Sequence, residues 1–192
     1  MKVGVLALQG DFQEHTEVLR RLGVDTCQVR LPGQLEGLSG LIIPGGESTT
    51  IGKLAESYGL LEPLREFGQE KAIWGTCAGA IFLAKEVHRV QPLLGLMDIS
   101  IQRNAFGRQV ESFETDIDVP ELGQIDPNPQ PFHAIFIRAP LIEAVYGTAR
   151  ALASLPDGRI VAALQGRLLA TAFHPELGSD DRFHRYFCRL VS

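Results

Sequence analysis

Residues 72–84 read AIWGTCAGAIFLA, an almost unbroken apolar stretch with small residues only at its centre. The pattern predicts a buried strand over 72–74 and a helix over 78–86, with Cys77 at the bend between them. Gly75 and Gly79 stand two places to either side of Cys77. At so sharp a strand-to-helix turn, side chains at those two places collide, and glycine removes the collision. A nucleophile at such an apex is exposed at the end of a sheet. The positive end of the following helix favours a thiolate there, and the Ala78 N–H faces the place where an oxyanion forms. A buried cysteine is usually a small hydrophobe. The strand, the paired glycines and the helix argue against that for Cys77, whereas Cys27 and Cys188 lack such framing.

The rest of the first half extends this strand-and-helix pattern. Residues 3–8 form a short apolar run of the kind found in parallel strands buried on both faces. A helix is expected from Phe12, with Phe12, His15, Leu19 and Leu22 on one face and Gly23 as its stop. Strands follow at 25–30 and 40–43, then helices at 49–57 and 62–69, the second turning Leu64 and Phe67 inward. Strand alternating with helix implies right-handed crossovers and a doubly wound parallel sheet. The second half reads as strands at 99–102, 112–117, 133–138, 150–154, 160–165 and 168–173. Asp157-Gly158 and Gly166-Arg167 look like hairpin turns between them. A terminal helix after Asp180 buries Phe183, Phe187 and Leu190. Residues 120–131, rich in turn formers, are expected to be a surface loop rather than a boundary. The expected fold is α/β: a three-layer open sheet, mostly parallel, with antiparallel additions in the second half, in a single domain over 1–192.

Composition excludes several functions. A net charge of −5 offers no basic surface for nucleic acid or an anionic membrane. No apolar run reaches the roughly 18 residues of a membrane span. MKVGVLALQGD makes a poor signal peptide, because Gln9, Gly10 and Asp11 interrupt its short apolar run. Three widely spaced cysteines argue against a disulfide framework and for the cytoplasm.

A catalytic cysteine needs a base and a group to orient it. The chain has five histidines. His15 falls on a helix core face and reads as packing. His88 follows a helix end, His133 begins a strand, and His184 lies on the terminal helix. His174 closes the apolar strand LLATAF and is followed by Pro175 and Glu176. Residues i and i+2 of an extended chain share a face, so Glu176 can hold the His174 ring. A second oxyanion donor is expected from Pro44-Gly45-Gly46-Glu47-Ser48, which ends the third strand at the same sheet edge. Ser48 or Thr49 is the expected N-cap of the helix beyond it. GGESTTIGK is not a phosphate loop, because five residues separate its glycines and Leu54 follows the lysine. No metal or cofactor motif occurs.

GTCAG with a distal HPE resembles the class I, or triad, glutamine amidotransferase family. PGGESTTIGKL, QRNAFGRQVESFE and FIRAP narrow the resemblance to the glutaminase subunits of pyridoxal 5'-phosphate synthases, over nearly the whole chain. The resemblance implies hydrolysis of L-glutamine to L-glutamate and ammonia. It also implies delivery of ammonia to a (β/α)8-barrel synthase subunit, which joins it to a pentose phosphate and a triose phosphate. By motif, Cys77 is the nucleophile, His174 the acid and base, and Glu176 its orienter. Gly46 and Ala78 supply the oxyanion hole. Gly46, Glu47, Ser48, Arg103, Ile137 and Arg138 line the glutamine site. An arginine suits the substrate carboxylate, and a carboxylate such as Glu47 suits its ammonium. Three alternatives remain at this point: a cysteine peptidase or related elbow hydrolase, the glutaminase of another amidotransferase, and an inactive binding module. The adjacent glycines Gly45 and Gly46 also allow a peptide flip that completes the oxyanion hole only when a partner docks.

Overall fold

The computed structural model describes residues 1–103, 112–126 and 130–192. In the first half, β1 (Lys2–Leu6), α1 (Phe12–Arg21), β2 (Asp25–Val29), β3 (Gly40–Ile43), α2 (Ser48–Ser57), α3 (Leu61–Glu70), β4 (Ala72–Thr76) and α4 (Ala78–Leu83) follow one another. Then come β5 (Ala84–Val87), β6 (Met97–Gln102), β7 (Ser112–Ile117), β8 (Phe132–Ile137), β9 (Leu141–Val145), β10 (Arg150–Ser154), β11 (Ile160–Gln165), β12 (Leu168–Thr171) and α5 (Arg182–Val191). The main sheet has the order β2-β1-β3-β4-β12-β11-β9-β6-β5, with β10 paired to β11, and β7 and β8 form a separate antiparallel ribbon.

Alternation along the central strands decides the layering. Val3, Val5, Ile42, Trp74 and Leu169 face one side, where Leu19 of α1 and Phe183 and Phe187 of α5 cover them. Leu6, Leu41, Ile43, Ile73 and Ala170 face the other, under Ile51 of α2, Leu64 of α3 and Ile81 of α4. Both faces are apolar, so these strands read as continuous apolar runs. Each large side chain buried there contributes about 1.5–3 kcal/mol. The β7–β8 ribbon adds Phe132, Ala134 and Phe136 to the first layer.

The parallel pairs decide where a site can form. β1, β3, β4 and β12 are all parallel neighbours, so their C-terminal ends share one edge of the sheet. The chain leaves β1 towards β2 on one side and returns to β3 on the other, which opens a crevice at that edge.

Several expectations are corrected. The helix expected over 78–86 stops at Leu83, and Ala84–Val87 pairs in parallel with β6, with Ala84 opposite Met97 and Val87 opposite Ile101. Backbone pairing across the sheet outweighs the helical tendency of Ala84-Lys85-Glu86. Strand β9 was not expected, because Pro140 precedes it and Glu143 breaks its apolar pattern; the structure places it between β11 and β6. The expected surface loop at 120–131 contains a 3-10 turn over Pro120–Gln124 that buries Leu122. Residues 127–129 of that stretch lie outside the described residues. On α5, Phe183 and Phe187 are buried as expected, but Leu190 is only partly buried, and His184, Tyr186 and Val191 are buried with the phenylalanines. No described helix is long and apolar enough to cross a membrane.

Candidate active site

Strand β4 is paired on both sides until its last residue, with Ile43 opposite Gly75 and Thr171 opposite Thr76. The Cys77 N–H still donates to Thr171 O at 2.8 Å. The chain then breaks into φ 48° at Cys77 and enters α4. Only backbone contact makes this bend possible. A Cβ on Gly75 would lie 2.4 Å from the Gly79 carbonyl, and one on Gly79 would lie 2.0 Å from Ile43 O.

Beyond β12, the Ala172 N–H donates to Val161 O and the His174 N–H to Ile135 O, each at 2.8 Å. These bonds keep residues 172–174 extended and bring the chain to the same edge. Across Pro175, His174 Nδ1 and Glu176 Oε1 meet at 2.7 Å. Burial alone would discharge the His174 ring, but its hydrogen bonds to Cys77 and to Glu176 push its pKa up to about 10. Burial raises the Glu176 carboxyl, and the His174 bond opposes that. The result is a charged imidazole between the Cys77 sulfur and a carboxylate, an arrangement that can activate sulfur and deliver a proton.

This shift predicts a pH dependence. A histidine pKa raised by folding, from 6.5 to about 10, contributes stability that is fully present below pH 6.5 and lost as pH rises towards 10. Urea midpoints measured from pH 6 upward should therefore decline on the alkaline side. NMR should show the His174 ring still charged at pH 8.

The third-strand loop forms the opposite wall. The Glu47 N–H donates to Gln9 Oε1 at 2.7 Å, and the Asp11 N–H donates to Gly45 O at 3.1 Å. A Cβ on Gly45 would lie 2.5 Å from His174 Cε1, and one on Gly46 2.5 Å from Gln9 Oε1. The glycines therefore let the loop lie directly on the His174 ring and on the end of β1. Sequence reasoning missed Gln9 and Asp11 as parts of this wall. The signal was present, because both residues interrupt an apolar strand at its C-terminal end. Asp11 Oδ2 also lies 3.5 Å from His174 Nδ1. Asp11, His174 and Glu176 have ligand atoms within 4.8 Å of one another, yet the last two are already bonded to each other.

Glu47, not Ser48 or Thr49, caps α2. Its Oε2 accepts from the Thr50 N–H and hydroxyl at 2.7 and 2.8 Å. Its Oε1 accepts from Arg103 Nη2 at 2.7 Å. Partial burial opposes ionisation, but these Thr50 and Arg103 bonds hold its pKa at about 2. Arg103 Nη1 also donates to Thr49 Oγ1 at 2.9 Å and Gln91 Oε1 at 3.1 Å, so Arg103, Glu47 and α2 form one cluster. Ser48 is buried in the first turn of α2. The RNAFGRQ segment beyond Arg103 lies outside the described residues. Ile137 ends β8, the strand whose Ile135 carbonyl accepts from His174. Arg138 follows with φ 45°; among the described residues, it and Cys77 are the non-glycine residues with positive φ. Such backbone strain concentrates at functional sites.

An open α/β sheet carrying a cysteine elbow and a His-Glu pair on one edge is the architecture of class I glutamine amidotransferases. Residues 5–192 match the SNO glutamine amidotransferase family, and the chain belongs to it. A protein of Herpetosiphon aurantiacus named Pyridoxal 5'-phosphate synthase subunit PdxT is 62% identical, with 99% of this chain and 100% of that protein covered. The subunit PdxT of Moorella thermoacetica is 53% identical over 100% of both chains. A crystal structure described as a glutamine amidotransferase superposes with TM-score 0.91 at 51% identity, covering 98% of each chain.

Proposed function

We propose that residues 1–192 form one glutaminase domain that hydrolyses L-glutamine to L-glutamate and ammonia within a pyridoxal 5'-phosphate synthase. Its partner is a (β/α)8-barrel synthase subunit, which takes up the ammonia with a pentose phosphate and a triose phosphate. The observation that carries this reading is the His174 ring held between Cys77 and Glu176 at the sheet edge, in a chain alike over its full length to proteins of that name.

The Cys77 thiolate attacks the side-chain amide carbon of glutamine. The Ala78 N–H and the Gly46 N–H stabilise the oxyanion. His174 gives its proton to the departing ammonia, leaving a glutamyl thioester on sulfur. It then takes a proton from water, which releases glutamate. Glu176 keeps the ring oriented and its charge balanced. Arg103 and Glu47, with Ser48, Ile137 and Arg138, hold the amino-acid end of the substrate, one charge facing each of its own. In a trans peptide the carbonyl and the N–H point in opposite directions. The Gly45 carbonyl is held by the Asp11 N–H, so the Gly46 N–H depends on that bond for its direction. A partner-dependent oxyanion hole would require that bond to break and the peptide to turn.

Ammonia release from glutamine, measured with and without a synthase subunit, tests the reading. Release is expected, and it should rise when the partner is present. Equal turnover in both assays would refute the partner dependence. Cleavage of peptides or esters with none of glutamine would favour a different cysteine hydrolase.

A further inference from the structure

The carboxylate of Glu176 has a second oxygen that the mechanism above does not use. Glu176 Oε2 is buried without a close hydrogen bond, and His15 Nε2 lies 3.3 Å from it. His15 comes from α1 and is fully buried. Its Nε2 also lies 3.2 Å from Thr76 Oγ1, one residue before the nucleophile. Its Nδ1 lies 2.9 Å from His184 Nε2 of α5. Trp74 packs edge-on against both rings.

Burial and the partners within reach favour one arrangement of the ring protons. Burial disfavours charge on both rings, so His15 titrates well below its usual range and His184 at about 3. Each neutral imidazole carries one ring proton. His184 Nδ1 is buried without a partner. A proton placed there would point at nothing, and the matching His15 tautomer, protonated on Nδ1, would set its bare Nε2 against the Glu176 carboxylate. The His184 proton therefore sits on Nε2 and is donated to His15 Nδ1. The His15 proton is then on Nε2, which faces both Thr76 Oγ1 at 3.2 Å and Glu176 Oε2 at 3.3 Å.

We propose that His15 is a positioning residue of the triad, donating from Nε2 to Glu176 Oε2 in the tautomer that His184 imposes. Glu176 is then held at both oxygens, by His174 on one and His15 on the other. This second bond prevents the carboxylate from rotating away when the His174 proton moves during the reaction. The inference rests on the glutaminase reading for its kinetic consequence but not for the bond itself.

The test uses the full chain assembled with its synthase subunit and glutamine as substrate. His15→Leu keeps similar bulk and removes the donor; kcat should fall about tenfold, the scale of one hydrogen bond to a charged group, with KM within about twofold. His15→Gln places an amide N–H near the same oxygen and should restore most of kcat. Nitrogen NMR of the unmodified protein should find the His15 proton on Nε2, and the His174 Nδ1 proton signal should move in His15→Leu. A folded His15→Leu with unchanged kcat, or a His15 proton on Nδ1, overturns the proposal. Should His15→Leu fail to fold, the nitrogen spectrum of the unmodified protein decides alone. If the unmodified complex releases no ammonia from glutamine, the glutaminase reading fails, and the spectrum still decides the His15 bond.

Discussion

Cys77→Ala is expected to lower ammonia release from glutamine by about 10,000-fold or more, because no other group at the sheet edge can form the thioester. Loss of a triad nucleophile removes the covalent route altogether and leaves only what substrate positioning and the oxyanion donors supply. The substitution suits the site sterically. Alanine fits inside the cysteine's volume, and the elbow conformation at φ 48° strains either residue alike. The folded state should therefore survive, which separates loss of chemistry from loss of structure. Mass spectrometry should trap a glutamyl adduct on Cys77 in the unmodified chain and none in the variant. Retained turnover in Cys77→Ala would remove the thioester from the mechanism.

Gly79→Ala is expected to cost about 3 kcal/mol or more in stability, at the upper end of overpacking effects. The added Cβ would lie 2.0 Å from Ile43 O and 2.8 Å from Ile43 C. Both are backbone atoms of a central strand, so no rotamer change relieves the clash. Either α4 or β3 must shift, and α4 carries the Ala78 N–H with it. Activity should fall together with the urea midpoint. Gly33→Ala is the control: nothing lies within 4 Å of its added Cβ, and its midpoint should barely move. A Gly79→Ala variant as stable as the parent would show that the elbow has slack that the structure does not have.

Much of the site was legible because its signals are local. Glycines flanking a thiol, with a strand before and a helix after, specify the bend from five consecutive residues. The two-residue spacing of His174 and Glu176 specifies their meeting from the geometry of an extended chain. Elements failed where long-range pairing won. Ala84-Lys85-Glu86 has helical composition, yet it completes a strand because β6 offers it a backbone partner. Glu47 outcompetes Ser48 as the cap because Arg103, 56 positions away, holds its other oxygen.

His15 shows the boundary most clearly. By helical period it belongs to a core face, and it is indeed fully buried. Periodicity tells which side of a helix turns inward but nothing of what it meets there. The sequence by itself determined the alternating layers, the elbow and the His-Glu pair, because each depends on neighbours a few residues apart. Only the tertiary structure decided that Gln9 and Asp11 grip the glycine loop and that His15, Thr76, Glu176 and His184 converge behind the triad. Those contacts join α1, β4, α5 and the end of β12, and parallel strands that share one edge bring together residues that no local pattern links.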